Sequence, residues 1–143
     1  MKTQENTATV ELDINASPEK VWNGLTDPRA VKEYMMGAKV ETDWKEGSPI
    51  SWKGESKGKA FEDKGKVLRV IKGERLAYSH ISPGPGMEDK AENYRMVDIQ
   101  LFPRNHGTHL KLSQDNNPSD EARSESERNW KMMMEGLKKV VER

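Results

Sequence analysis

The 143-residue chain has no cysteine, so it forms no disulfide, uses no thiolate and carries no mark of its redox surroundings. It also lacks an excess of either charge. Its 24 acidic residues balance 24 basic ones, which gives no support to electrostatic capture of nucleic acid or of an anionic membrane. No stretch approaches the roughly 20 apolar residues of a membrane span. Met1 to Ala8 is polar, without the apolar centre of a signal peptide. A cytoplasmic monomer is expected, with no nucleic-acid partner, no membrane span and no cofactor. Apolar residues make up only 33% of the chain against 34% charged, yet they recur periodically, which marks a compact core under a very polar surface rather than disorder. The length fits one domain, residues 1–143, with residues 1–7 frayed.

Motifs for familiar chemistry are also missing. There is no Ser-His-Asp order, no paired-carboxylate motif and no phosphate loop; Gly84-Pro85-Gly86 is a poor candidate because Pro supplies no N–H. His106-x-x-His109 spans a hairpin turn, and zinc would need more ligands in fixed geometry, so no metal is expected.

What is present is a long amphipathic segment at the C-terminus. Asn117 reads as a cap, with Pro118 in the first helical position. Trp130, Met133, Met134, Leu137, Val140 and Val141 follow at helical spacing, within an arc of about 120°. Lys131, Glu135, Lys138, Lys139 and Glu142 take the opposite side, with Met132 unexplained among them. Extended backwards, the same stripe turns small and polar through Ser126, Arg123, Ala122 and Ser119. These first turns either overhang the core in water or wall the mouth of a cavity, where Arg123 could meet an anionic group.

Earlier in the chain, Ala8 to Asn15 alternates as a half-buried strand. Ser17-Pro18 and Asp27-Pro28 each open a short helix with a cap residue and a Pro behind it. From Ala38 the pattern is β. Ala38, Val40, Thr42 and Trp44 alternate, and Ile50 and Trp52 share a face. Gly54 to Gly58 reads as a turn, and Lys66 to Ile71 as a strand apolar on both faces. Leu76, Tyr78 and His80 follow with one parity. The Gly/Pro-rich residues 82–92 form the longest loop, and a hairpin at Pro103 to Gly107 joins Asn93–Phe102 to Thr108–Gln114. The order is β, α, α, about six more antiparallel strands, then one long helix. A meander with one apolar face must cover it, and only the last helix is long enough. The expected fold class is α+β: a curved antiparallel sheet wrapped round the C-terminal helix, with the two short helices plugging one end. Trp130→Ala is then expected to cost about 3–5 kcal/mol.

Several stretches carry a resemblance. Ala16-Ser17-Pro18-Glu19-Lys20-Val21-Trp22, Leu25-Thr26-Asp27-Pro28, Trp44 to Trp52 around Glu46-Gly47-Ser48, Gly65-Lys66-Val67-Leu68, and Asn129-Trp130 with Glu135-Gly136-Leu137-Lys138 resemble the START/SRPBCC helix-grip superfamily of lipid-transfer domains, birch-pollen allergens and polyketide cyclases. Within it they are similar to the AHSA-type branch named after the activator of heat-shock-protein-90 ATPase. The resemblance implies the helix-grip fold. For function it implies lipid carriage, cyclase chemistry or co-chaperone work without choosing among them.

Tyr34, Met35, Trp44, Trp52, Tyr78, Met96, Trp130, Met133 and Met134 occupy positions expected to face inward. They are either plain core or, as a set, the adaptable walls of a ligand cavity, with His80, Arg123 and Ser126 as the polar groups that orient the ligand. Loop 82–92 is then a gate or a simple connection. Three functions are open. The first is binding of a small hydrophobic or amphipathic ligand between sheet and helix, without covalent chemistry. The second is a co-chaperone-like module with a chaperone partner, starting from Met132 and Lys131. The third is a cyclase- or hydrolase-type enzyme, which requires a carboxylate within hydrogen-bond reach of His80; a buried His80 bonded to a neighbour is the plainer reading of that residue.

Overall fold

The computed structural model describes residues 6–56, 58–84 and 86–143. In chain order they form β1 (Ala8–Ile14), α1 (Pro18–Thr26), α2 (Pro28–Tyr34), β2 (Lys39–Glu41), β3 (Pro49–Ser56), β4 (Lys59–Ile71), β5 (Arg75–His80), β6 (Arg95–Arg104), β7 (Gly107–Gln114) and α3 (Asp120–Val141). All seven strands join one antiparallel sheet in the order β1-β7-β6-β5-β4-β3-β2. The meander β2 to β7 is thus continuous, and β1 returns to close against its last strand.

Register places the apolar residues on one face. Val10 lies opposite Leu112, Leu12 opposite Leu110, Leu112 opposite Ile99, Ile99 opposite Leu76, and Val97 opposite Tyr78. Helix α3 covers this face with Met134, Leu137 and Val141, which join Leu76, Tyr78, Val97, Ile99, Leu110 and Leu112 of the sheet and Val21, Leu25 and Val31 in one buried cluster. The backbone of α3 approaches β1, α1 and α2 rather than β3 to β6. It is clipped to β1 by Lys138 Nζ donating to the Asp13 carbonyl (3.1 Å), by Asn15 N–H donating to Glu142 (2.7 Å), and by Thr9 N–H donating to Glu127 (3.1 Å). The helix therefore leans toward one edge of the sheet.

The two short helices start as their sequences dictate. Ser17 Oγ accepts the Lys20 N–H (3.2 Å), Asp27 accepts the Arg29 N–H (2.9 Å), and a Pro follows each cap. The start of α3 differs from expectation. Its cap is Ser119, which accepts the Ala122 N–H (3.1 Å), and Asn117 lies outside the helix. Asn117 is instead 2% exposed and bonded on every side. Its Nδ2 donates to the Asn6 carbonyl (2.8 Å) and the Gln114 carbonyl (3.2 Å), while its Oδ1 accepts from Ser126 Oγ (2.8 Å) and Gln114 Nε2 (3.2 Å). An amide with two donors and two acceptor sites ties three segments together, where a cap would use one. The expectation of fraying over residues 1–7 falls for 1–5 outside the described residues, and Asn6 is held by this bond.

The strand boundaries bring three further corrections. Trp44 is not in β2; its φ of 59° lies in the left-handed region, and the chain turns there. Gly54 belongs to β3, paired with Phe61, so β3 and β4 extend to Ser56 and from Lys59, and the turn expected at Gly54 is shorter; its Lys57 lies outside the described residues. Strand β4 is apolar on both faces because its pairing with β5 shifts between Val67 and Arg69. Val67 keeps the inward parity of Phe61 and Asp63, the irregularity after it brings Val70 to the same face opposite Leu76, and Leu68 and Ile71 stay 41% and 39% exposed. Among the described residues no helix is long and apolar enough to cross a membrane.

Candidate functional site

Because α3 leans toward β1, a space remains between its N-terminal half and strands β3 to β6. It is a cavity of about 340 Å³, at the small end of ligand pockets. Met35, Trp52, Phe61, Tyr78, Val97, Trp130 and Met133 give it apolar walls; His80, Asp63, Arg95, Glu55, Gln114, Ser126 and Asn129 bring polar groups to it. Met36, 69% exposed and with φ of 55°, stands at its rim. A broader depression of about 820 Å³ by the β6–β7 hairpin is more open and lined by mostly polar residues, and offers no comparable apolar enclosure.

Strand parity positions the walls. Inward Leu76, Tyr78 and His80 on β5 face Ile99, Val97 and Arg95 across the β5–β6 pairing. Trp52 on β3 packs its ring against Tyr78 at 5.1 Å and meets the His80 ring edge-on at 5.2 Å. Burial pushes the Tyr78 hydroxyl well above its ordinary pKa, and the same holds for Tyr34, so both remain neutral.

Two polar constellations converge here. On the strand side, Asp63 accepts from Ser82 Oγ (2.8 Å) and lies 3.0 Å from His80 Nε2. A carboxylate offers only acceptors, which assigns the proton to Nε2 and leaves Nδ1 as the neutral ring's acceptor. On the helix side, Trp130 Nε1 donates to Gln114 Oε1 (3.0 Å), and Gln114 Nε2 donates to Asn117, which also accepts from Ser126. This second chain is fully used internally and fixes the wall. The first has a free acceptor, and Arg95 beside it makes no side-chain hydrogen bond or ion pair among the described residues.

The residues expected from sequence separate into groups. Met35, Trp52, Tyr78, His80, Ser126, Trp130 and Met133 surround the cavity. Tyr34, Trp44 and Met134 do not; they ring a void of about 10 Å³, room for one water at most, and belong to the packed core. Met96 points the other way. It lies opposite Ser79, is 41% exposed, and has the parity opposite to inward Val97 and Ile99. Arg123 is bonded along its own helix to Glu127 (3.2 Å) and does not reach the cavity. None of the described residues of loop 82–92 lines the cavity; the loop's tie to the site is Ser82, and Pro85 lies outside the described residues. Phe61, Asp63 and Arg95 were missed. The signal for Arg95 was available, since it shares parity with Val97, Ile99 and Leu101.

The other histidines lie elsewhere. His106 is exposed in the β6–β7 turn, and His109 bridges Asp13 and Glu11 of β1 at 2.8 Å each. Among the described residues no group of three metal-ligating side chains is placed to hold an ion.

The family model for the Activator of Hsp90 ATPase homolog 1-like protein matches residues 15–142. No curated protein matches the chain significantly. Among solved structures, a protein from Cytophaga hutchinsonii is 50% identical with a TM-score of 0.83, over 95% of this chain and 93% of that one. A protein from Chromobacterium violaceum is 23% identical, TM-score 0.81, over 96% and 99%. An Aha1 dimer from Colwellia psychrerythraea is 19% identical, TM-score 0.72, over 94% and 95%. The last two show the fold alone. The seven-stranded curved sheet closed by a long C-terminal helix is the helix-grip fold these neighbours share.

Proposed function

Since the chain belongs to the Activator of Hsp90 ATPase homolog 1-like family and a cavity lies between its own sheet and helix, we propose that it binds a small amphipathic molecule in the cavity under α3. One observation carries this reading: the cavity of about 340 Å³ has apolar walls from both sheet and helix, with polar side chains gathered at it. Apolar area gives affinity, and a few fixed polar groups give orientation. A core needed only for stability would close such a space, because each unfilled volume costs packing energy.

Titration with octanoic acid, indole and naphthol, followed by isothermal calorimetry, tests the proposal. Saturable binding of at least one is expected. Met133→Trp, which fills the cavity from α3, should weaken that binding by about tenfold or more, equivalent to ~1.4 kcal/mol. Absence of binding by every member, or an affinity indifferent to Met133→Trp, contradicts the proposal.

The co-chaperone reading would need a coherent apolar patch outside the cavity. Met132, 51% exposed, shares its helix face with exposed Arg128, Glu135 and Lys139, and so gives that reading little support.

A further inference from the structure

We propose that the polar end of the cavity is a proton-accepting subsite for an acidic hydroxyl, that of a phenol or an enol, with Nδ1 of His80 as the acceptor and Arg95 beside the oxygen. The inference rests on the cavity being a ligand site and adds the chemical class of the ligand.

The acceptor is built, not incidental. Ser82 holds one oxygen of Asp63 (2.8 Å), and the other holds Nε2 of His80 (3.0 Å). The edge contact with Trp52 at 5.2 Å fixes the ring plane. With Nε2 turned to the Asp63 carboxylate, the uncharged form of the ring has its lone pair at Nδ1, and no hydrogen bond to Nδ1 is made among the described residues. Arg95 lies directly across the β5–β6 pairing from His80 and also lines the cavity. The other half-buried arginines are engaged: Arg75 grips Asp98 (2.7 and 3.0 Å), and Arg123 pairs with Glu127. Arg95 has no such partner among the described residues, and a guanidinium keeps its charge at any physiological pH.

The charges facing this point narrow the ligand. Asp63 on β4 and Glu55 on β3 are acidic, Arg95 on β6 is basic, and α3 contributes only the neutral Ser126, Asn129, Trp130 and Met133. A carboxylic acid arrives already ionised. It brings no proton for Nδ1 and adds a full negative charge beside the Asp63 carboxylate. A phenol or enol arrives neutral with an O–H to donate, and its flat apolar body suits the walls of Trp52, Phe61 and Trp130. On transfer the O–H bond breaks and an N–H bond forms at Nδ1, while the electron pair stays on oxygen. The imidazolium is then balanced by Asp63 and the oxyanion by Arg95, with no change in the total charge of the site. An enol bound this way is held as its enolate, the state from which proton transfer at carbon proceeds.

The test uses para-hydroxyacetophenone, whose phenolate is read by its absorbance, and para-methoxyacetophenone, the same molecule with its hydroxyl methylated. It is run about one unit below the phenol's own pKa, where about a tenth of the free probe is ionised and which lies above the ordinary imidazole value of about 6.5. Bound para-hydroxyacetophenone should be more than half phenolate, a roughly fivefold rise per bound molecule. His80→Gln and Arg95→Gln should each return the phenolate fraction of the bound probe toward the free one, read per bound molecule so that a change in affinity does not enter. If both probes bind but the phenolate fraction equals that of the free probe, or persists in His80→Gln, the subsite is overturned and the cavity reading stands. If neither probe binds, the cavity reading fails and takes the subsite with it.

Discussion

Met133 and Met134 are adjacent on α3, chemically identical, and on opposite sides of the boundary between cavity and packed core. Met134 is fully buried (0% exposed) against Leu25, Val31, Tyr34, Leu76 and Ile99, with a void of only about 10 Å³ nearby. Met133 is half-buried and faces the cavity of about 340 Å³. Met134→Ala removes a buried side chain from tightly packed surroundings and leaves a hole, so it should cost about 2–5 kcal/mol. Met133→Ala gives up only part of a transfer term and merely widens a space that already exists, so about 1 kcal/mol is expected. The helix preference of Ala over Met is the same at both sites and cancels in the comparison. Against a stability of roughly 5–15 kcal/mol both variants remain folded, and urea unfolding with an unchanged m-value reads both losses. Equal losses, or a larger one at Met133, would refute the division of the helix into a core half and a cavity half.

Trp130→Ala should cost about 1–3 kcal/mol rather than the 3–5 kcal/mol expected from periodicity, because the ring is half-buried on the cavity; part of the loss is the Gln114 oxygen left without its donor, and chemical denaturation measures it. Gly65→Ala should cost more than about 4 kcal/mol or prevent folding, since an added Cβ would stand 1.7 Å from the Ser79 carbonyl oxygen of β5; circular dichroism and thermal unfolding decide. His109 is held above its ordinary pKa first by its hydrogen bond to Glu11 and then by that to Asp13. A raised folded-state value means stability fully present below about pH 6.5 and lost as pH rises through the raised value. His109→Gln should therefore flatten the decline in unfolding midpoint as pH rises above about 6.5, and an unchanged slope would show that the pair does not couple to folding.

The parts of the fold legible in sequence were those where a single element carries its own signal. Ser17-Pro18 and Asp27-Pro28 are local caps, and they start α1 and α2. Met134, Leu137 and Val141 repeat at helical spacing, and they are the buried residues of the C-terminal half of α3. What was illegible depends on register or on polar residues facing inward. The Asp63–His80 pair arises because β4 runs antiparallel to β5, and Asp63 lies in the highly charged first half of β4, ahead of the strand that the sequence pattern starts at Lys66. Met96 was misplaced because hydrophobicity outranked parity. Arg95, one residue before it, holds the inward position precisely because a cavity wall, unlike a core, tolerates a cation. Asn117 looks like a helix cap in isolation, and its role in joining Asn6, Gln114 and Ser126 exists only once β7 and α3 are side by side.

The four tryptophans supply the most direct test of a ligand space between sheet and helix. Trp52 and Trp130 line it, while Trp22 and Trp44 do not. In nitrogen-15 spectra the indole N–H signals of all four can be followed during one titration with naphthol. Saturable shifts at Trp52 and Trp130, with Trp22 unmoved, are the expected result. Shifts confined to Trp22, or no shift at Trp52 and Trp130 up to the solubility of the probe, would mean that the space under α3 takes no such ligand.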